Sequence, residues 1–159
     1  MARDPIGPAR DGGVTLRLPD GVRTTIASVA GQLEALYASE QAADDPAVAR
    51  LFPTAYPDDP FANIEFDGSV GDELRRARLE AIAVVVRTAD APRLTEDEAG
   101  AWLRTLNDAR LVLGTRLDIT EESQEEDFAG DEATASSYQT YVLLSVVVES
   151  LVGALDRDR

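Results

Sequence analysis

The stretch that decides the fold is TEDEAGAWLRTLNDARLVLGTRL, residues 95–117. Thr95 and Glu98 have the spacing of a capping box, in which a hydroxyl and a carboxylate accept hydrogen bonds from the unsatisfied backbone N–H groups at the start of a helix. A rotation of roughly 100° per residue places these apolar side chains on one stripe: Ala99, Trp102, Leu103, Leu106, Ala109, Leu113 and Leu117. The pattern predicts one continuous core helix.

Two arginines are predicted to point inward. Arg110 falls near the centre of the apolar stripe, and Arg78 lies within the apolar sector of the preceding helix. Burying an unpaired charge is strongly destabilising, so each guanidinium should meet a carboxylate, reach water along its apolar stem, or serve a ligand or partner site. Glu149, the one charge inside the apolar part of the last helix, is the predicted mate of Arg110 or Arg78.

Ahead of this region the sequence predicts a short strand. Residues 1–12 are rich in proline, glycine and charge and are expected to form a flexible lead-in. Val14, Leu16 and Leu18 then alternate with polar residues, as in a half-buried strand. A lone strand is unstable, so it requires a partner strand in this chain or the same strand of a second copy, which would make a homodimer.

The remaining elements are predicted to be helical. Periodic apolar residues indicate a helix from about Val22 to Ser39, and a short helix should follow from Pro46 to about Phe52. A proline-rich connection follows before a helix over about 70–88, and a nearly all-apolar helix covers 133–155. The expected fold is mainly α: a single domain over residues 13–157, with a bundle of about four to five helices and a short N-terminal β-strand.

Residues 118–132 differ sharply in composition from their surroundings. This segment carries eight carboxylates and no basic residue. Its spacing does not match the calcium-loop pattern D-x-[DN]-x-[DN]-G, so no metal site is predicted there. We expect a solvated, mobile loop, and the alternative is an acidic recognition segment for a basic partner.

Charge and composition exclude several functional classes. The net charge is −15, from 30 acidic residues and 15 basic ones that are all arginine, and this excess disfavours direct binding of nucleic acid. The chain has no cysteine and no histidine, which removes thiolate chemistry and the Ser-His-Asp triad. No phosphate loop, GxGxxG turn, nucleophile elbow or HExxH signature is present. The sequence therefore predicts no enzymatic activity, no cofactor and no metal.

The N-terminus and the apolar runs bear on location. MARDPIGPAR is not followed by an apolar stretch, so no secretory signal is predicted. The longest apolar run, YVLLSVVV, is shorter than the roughly 20 residues that span a bilayer. We therefore expect a soluble, cytoplasmic protein without a membrane partner.

Three strings carry a resemblance to a known family: ARLFPTAYPDDP at 49–60, LRRARLEA at 74–81 and AWLRTLNDARLVLGTRLDITEE at 101–122. Together they resemble the AosR family of actinobacterial proteins over residues 14–155. The most specific part of the match is in the central helix: Trp102, Leu103, Leu106, Asn107, Asp108, Arg110, Leu111, Leu113, Gly114, Arg116 and Leu117.

The resemblance implies a small cytoplasmic regulator of the oxidative stress response that binds a sigma factor of RNA polymerase and performs no catalysis. Redox-responsive members of the family are thought to sense oxidant through a cysteine pair. This chain has no cysteine, so a disulfide switch cannot operate in it. The resemblance therefore leaves a constitutive binding function as the expectation.

Two interpretations follow. In the first, a protein partner docks on the helix from Asn107 to Arg116, on the proline-rich connection or on the acidic loop. In the second, the protein is a structural or scaffolding domain, and its polar residues form an internal network that only fixes the fold. The residues assigned to an interaction site or to a buried polar network are Arg78, Asn107, Asp108, Arg110, Arg116 and Glu149.

Overall fold

The computed structural model describes residues 4–38 and 72–156. In chain order the elements are strand β1 (Ile6–Pro8), strand β2 (Val14–Leu16), helix α1 (Asp20–Ala38), helix α2 (Asp72–Thr88), strand β3 (Arg93–Leu94), helix α3 (Glu96–Arg116), a 3-10 turn (Glu125–Phe128) and helix α4 (Glu132–Asp156). The architecture is mainly α, as predicted. The short helix at 46–52 and the proline-rich connection lie outside the described residues.

A three-stranded antiparallel sheet lies at one end of the helices, in the order β1-β2-β3. Ile6 pairs with Leu16, and Val14 pairs with Leu94. Both partners of β2 therefore come from this chain, which is one of the two arrangements expected for the strand. The prediction of a flexible lead-in is wrong at β1, where Ile6 is buried in the core. Strand β3 was not predicted, because two residues are too few to show an alternating pattern.

The predicted capping box at the start of α3 is confirmed. The backbone N–H of Glu98 donates to Thr95 Oγ1 at 3.1 Å, and the backbone N–H of Thr95 donates to Glu98 Oε1 at 2.9 Å. One turn later Trp102 is fully buried, and its indole N–H donates to Thr88 Oγ1 at 2.7 Å. The start of α3 is therefore fixed both by its own side chains and by the end of α2.

The buried face of α3 is rotated from the predicted stripe. Its buried residues are Ala99, Trp102, Thr105, Leu106, Asp108, Ala109 and Val112. The rotation arises because α3 packs against both α2 and α4, so its buried sector is wider than one apolar stripe and includes two polar side chains. Asp108 points inward in place of Arg110, which is only half-buried.

Arg23 in the first turn of α1 joins three elements. Its guanidinium donates to the carbonyl oxygens of Ala89 at 2.9 Å and Ala91 at 2.8 Å, just past the end of α2. It also donates to the carbonyl oxygen of Leu18 at 3.1 Å. These carbonyl groups lie just past the ends of β2 and α2, where the backbone offers no regular hydrogen-bond donor. Arg23 supplies the donors in its place.

Helix α4 has one core face and one exposed apolar face. Its buried residues are Leu144, Val147, Val148, Leu151 and Ala154. Val142 and Val146 are exposed by 40% and 50%. By length and composition α4 could cross a bilayer, a criterion that core helices of soluble proteins also meet. The expectation of no membrane partner rested on the length of the apolar runs, and the composition of α4 neither confirms nor contradicts it, so it stays a prediction.

The acidic segment 118–132 is anchored in its second half. Phe128, in the 3-10 turn, is buried, and its ring stacks on Tyr138 with centroids 4.5 Å apart. Asp131 then accepts a hydrogen bond from the backbone N–H of Thr134 at 2.8 Å, which lowers the pKa of Asp131. The prediction of a mobile loop is therefore wrong for this part of the segment.

Candidate functional site

An ion pair between Arg78 and Asp108 joins α2 to α3. The two side chains are 18% and 9% exposed, so water has little access to either charge. The hydroxyl of Tyr37, in the last turns of α1, donates to the same Asp108 oxygen at 3.5 Å. One carboxylate oxygen thus accepts hydrogen bonds from two helices and holds α1, α2 and α3 together.

The surroundings hold Tyr37 and Arg78 each in one protonation state. Burial raises the pKa of the Tyr37 hydroxyl, and the negative charge of Asp108 raises it further. Burial by itself would lower the pKa of Arg78, but the hydrogen bond and the charge of Asp108 more than offset that effect and raise it. Tyr37 therefore stays neutral and Arg78 stays charged near neutral pH, and both side chains hold the helices together as fixed hydrogen-bond donors.

The predicted role of Glu149 is wrong. Glu149 is exposed on α4, and the carboxylate that Arg78 meets belongs to Asp108. Arg78 does meet a carboxylate of another helix, but the wide buried sector of α3 supplies this carboxylate in place of α4. Asp108 was singled out in the sequence, but as part of a general polar network and without a named partner.

Asn107 and Arg110 form a second, separate pair. Both are half-buried, and the guanidinium of Arg110 donates to Asn107 Oδ1 at 2.7 Å, one turn away on the same helix. The spacing of α3 turns this pair to a different side of the helix from Asp108. The scaffolding interpretation required one internal network of Asn107, Asp108 and Arg110, and the structure does not form it.

Arg116 lies at a third place, the edge of a groove between α1, α3 and α4. The groove encloses about 720 Å³. Its floor is the last part of α3, with Ala109, Val112 and Leu113, and its two walls are α1 and the first turns of α4. Among the described elements, α1 and α4 make no extended contact with each other, which leaves the groove open along its length.

The lining of the groove combines apolar and hydroxyl side chains. The apolar members are Val29, Leu33, Leu36, Ala35, Ala109, Val112 and Leu113, and the polar neutral members are Thr24, Thr25, Ser28, Gln32, Ser136, Ser137 and Thr140. Arg116 is the single charged side chain that the described part of the chain contributes to this lining. Such a surface suits a peptide or a helix that buries apolar side chains and finds hydrogen-bonding groups along the edges.

Tyr37, Arg23 and Thr105 were missed by the sequence analysis. Tyr37 continues the buried row Ile26, Ala30 and Leu33 at three- and four-residue steps, a signal that was available in the sequence. Arg23 gives no such signal, because its acceptors are backbone carbonyl groups far along the chain. Thr105 is buried in α3, and its hydroxyl has no hydrogen-bond partner in the described part of the chain.

The described part of the chain offers no candidate site for a metal ion. Within residues 4–38 and 72–156, no three acidic side chains converge so that they could hold a metal ion. The polar clusters found there are the ion pair, the Asn107–Arg110 pair and the hydroxyl edges of the groove. All of them are suited to holding elements together or to contacting another molecule.

Comparison with known proteins gives a family and a set of named relatives. The model of a family described as a domain of unknown function, DUF2017, matches residues 4–155. Proteins of Mycobacterium tuberculosis and Mycobacterium bovis named "Oxidative stress regulator AosR" are 31% identical over 128 residues, covering 68% of this chain and 57% of the relative. A Mycobacterium leprae protein named "Putative oxidative stress regulator AosR" is 31% identical over 132 residues, covering 72% and 60%.

The chain thus spans less than two thirds of the length of these curated relatives. No solved structure matches the chain.

Proposed function

Because the chain belongs to the DUF2017 family and resembles mycobacterial proteins named oxidative stress regulator AosR, we propose that it is a regulatory protein of the oxidative stress response. The observation that carries the proposal is the 31% identity to these relatives over about two thirds of the chain. The family model matches residues 4–155, which contain helices α1, α2 and α3 and nearly all of α4.

The proposed mode of action is binding to a protein partner in the cytoplasm, without catalysis. The sequence has no histidine and no cysteine, so it lacks the side chains that most often act as general base or nucleophile. The polar residues around Asn107–Arg110 and Arg116 and the open groove beside Arg116 are features of a contact surface. A sigma factor of RNA polymerase is the specific partner that the family resemblance favours.

A direct binding measurement tests this partner. The purified chain is immobilised, and the purified sigma factors of the source organism are passed over it. We expect one of them to bind, and we expect Arg116→Ala to weaken the complex more than Arg87→Ala, an exposed arginine at the end of α2. Failure of every sigma factor to bind would remove this partner from the proposal.

The same measurement with oxidant separates two kinds of regulator. Because the chain has no cysteine, hydrogen peroxide or a reducing agent acting on this protein alone should leave its affinity unchanged. A change in affinity that requires oxidation of this chain would contradict the proposed constitutive binding.

A genetic experiment tests the regulatory role itself. We expect deletion of the gene in the source organism to change the set of transcripts induced by hydrogen peroxide, and we expect the intact gene to restore it. An unchanged transcript profile would contradict the regulatory role, whichever partner the protein binds.

A scaffolding homodimer is the second candidate. The exposed valines 142 and 146, one turn apart on α4, favour it, because they form an apolar strip that a second copy could cover. Sedimentation of the intact chain and of Val146→Glu distinguishes the two: a dimer that the charge disrupts supports this candidate, and a monomer in both cases contradicts it.

A further inference from the structure

We propose that the exposed side of helix α4 is a dimer interface, in which α4 of one copy packs against α4 of a second copy in antiparallel orientation. The inference deepens the homodimer candidate above and rests on it for the existence of a dimer. It adds the orientation of the two helices and the residues that meet. The occupant of this side of α4 is therefore a second copy of the chain.

Helix α4 is more apolar than its burial within one copy explains. It runs for 25 residues, and 28% of its most apolar 18-residue stretch is buried within the described part of the chain. Between Glu132 and Glu149 no residue of α4 is charged. A helix that is apolar on nearly all sides is normally buried, so the exposed side of α4 is suited to a further contact.

The exposed side of α4 has the spacing of a coiled-coil seam. Six residues, called the seam below, recur at alternating steps of four and three: Ala135, Gln139, Val142, Val146, Glu149 and Gly153. Val142 and Val146, at the centre, are 40% and 50% exposed, and the two residues that flank them in the seam are exposed as well. This is the spacing with which two helices pack along their length.

The seam is complementary to itself. In a symmetric dimer each contact between two residues occurs twice, once in each direction. In the antiparallel orientation Val142 meets Val146 of the second copy, which covers the exposed apolar surface of both. Gln139 meets Glu149 of the second copy, so an amide N–H can donate to each carboxylate. Every polar residue at the centre of this interface therefore finds a partner.

The charges select the antiparallel orientation. In a parallel pair each residue of the seam would meet its own counterpart, so the two Glu149 carboxylates would face each other. Residues 118–132, with eight carboxylates, lead into α4, and a parallel pair would bring both of these segments to the same end. The antiparallel pair separates them by the length of α4, roughly 38 Å at about 1.5 Å per residue, which is several Debye lengths in physiological salt.

The composition of α4 disfavours a membrane surface as the occupant. Helices that lie on membranes usually carry lysine or arginine on their polar side, and α4 contains no basic residue. The opposite side of α4 is also buried in the core of the bundle, through Leu144, Val147, Val148, Leu151 and Ala154. These contacts hold the helix against the rest of the fold and leave the seam as the side that is free to pair.

Substitutions at Gln139 test the orientation by sedimentation equilibrium of the intact chain. In the antiparallel dimer residue 139 faces Glu149 of the second copy. Gln139→Lys should therefore lower the dissociation constant of the dimer and Gln139→Glu should raise it, each about tenfold. In a parallel dimer residue 139 would face itself, so both substitutions should weaken the dimer. Weakening by both would overturn the inference.

Gln32 provides the matched control. It is an exposed glutamine on α1, so its replacement by lysine changes the net charge equally and lies outside the seam. Gln32→Lys should leave the dissociation constant nearly unchanged, and adding Glu149→Gln to Gln139→Lys should remove the gain. If Gln32→Lys tightens the dimer as much as Gln139→Lys does, total charge alone controls association and the inference is overturned.

Disulfide cross-linking gives a second test, because the chain has no cysteine of its own. Val142→Cys and Val146→Cys variants with tags of different size are mixed, left to exchange subunits and oxidised. The mixed disulfide should dominate, since the antiparallel pair displaces residue 142 from its own counterpart by about 6 Å along the helix axis. Dominance of self-linked products would overturn the inference. Val86→Cys, a valine of similar exposure on α2, should remain unlinked.

The outcomes separate this inference from the homodimer candidate. If the intact chain sediments as a monomer, the candidate and the inference are both overturned. Resistance of Val142→Cys to maleimide in that monomer would then show that the chain itself covers the seam, and binding to phosphatidylglycerol vesicles would assign the seam to a membrane surface. If the chain is a dimer that follows the parallel pattern in both tests, the homodimer stands and the inference alone is overturned.

Discussion

At the scale of single residues, Asp108 is the side chain on which three helices depend. Its carboxylate accepts hydrogen bonds from Arg78 and from Tyr37, and all three side chains are largely shielded from water. Removing one partner of a buried ion pair is more destabilising than the pair itself is stabilising, because the other charge is left behind. The positions of these residues in three different helices make the effect global.

We expect Asp108→Asn to lower the free energy of unfolding by about 2–3 kcal/mol, because Arg78 would keep its charge and lose the charged acceptor that Asp108 supplies. Urea denaturation followed by circular dichroism measures this. The control is Glu149→Gln, an exposed carboxylate whose substitution should change stability by no more than about 0.5 kcal/mol. A larger effect at Glu149 than at Asp108 would contradict the placement of the ion pair.

Two buried threonines give opposite expectations for the same substitution. Thr105 has a buried hydroxyl without a hydrogen-bond partner in the described residues, so Thr105→Val should stabilise the protein by about 1 kcal/mol. Thr88 accepts the indole N–H of Trp102 and donates to the carbonyl oxygen of Val84, so Thr88→Val should destabilise by about 1–2 kcal/mol. Thermal unfolding of the two variants checks the sign of each change.

Residue-level prediction from sequence succeeded where the signal is local. The capping box of Thr95 and Glu98 depends on residues three apart, and it is confirmed. The inward position assigned to Arg110 failed, because the buried sector of α3 is rotated from the apolar stripe, which brings Asp108 in at one edge and leaves Arg110 outside the other. Only the packing of α3 against both α2 and α4 fixes that rotation.

At the scale of elements, the long helices were predictable and the sheet was not. Helices α1, α2, α3 and α4 each contain enough periodic apolar residues to show their period, and their observed bounds lie within a few residues of the predicted ones. Strands β1 and β3 contain three and two residues, and they are held by pairing with β2. The residues that pair belong to different segments, so the sequence of one short segment does not predict the pairing.

The contact between β2 and β3 provides a test at this scale. A Cβ atom on Gly13 would lie 2.1 Å from the backbone oxygen of Leu94, and the backbone on both sides is held by the sheet. We expect Gly13→Ala to destabilise the protein by at least about 2 kcal/mol. Gly100 in α3 has open space around it, so Gly100→Ala should stabilise by about 0.5–1 kcal/mol. Similar melting temperatures for the two variants would contradict this register.

At the scale of the whole molecule, the composition makes stability insensitive to pH around neutrality. The chain lacks histidine, cysteine and lysine, so apart from the α-amino group no side chain is expected to titrate between the carboxylates, near pH 4, and the tyrosines, near pH 10. We expect the melting temperature to be nearly constant from about pH 6 to pH 9. A slope larger than the α-amino group can produce in this range would require a carboxylate with a strongly raised pKa.

Above that pH range, the titration of Tyr37 should dominate the dependence of stability on pH. Its pKa is raised in the folded protein by burial and by Asp108, so the unfolded chain releases this proton at a lower pH than the folded one. The stability that Tyr37 contributes is therefore fully present below about pH 10 and is lost as the pH rises through the folded value. Tyr37→Phe should lower stability at neutral pH and flatten its decline at alkaline pH, which denaturation at a series of pH values measures.

The prediction of one mainly α domain came from periodicity and length, and the groove could not be predicted in the same way. Its floor and walls come from residues of α1, α3 and α4 that are far apart in sequence, and each residue by itself is ordinary. What defines the groove is that α1 and α4 make no extended contact among the described elements, which is a property of how the helices are arranged.

Trp102 has a practical consequence for studying this protein in solution. It is the single tryptophan of the chain, and it sits without solvent exposure where α2 meets α3. Intrinsic emission excited at the red edge of the absorption band therefore reports on one location, with no label attached. The emission of Trp102 should resist quenching by iodide or acrylamide for as long as those two helices stay together. Loss of this resistance during unfolding would show when the two helices separate.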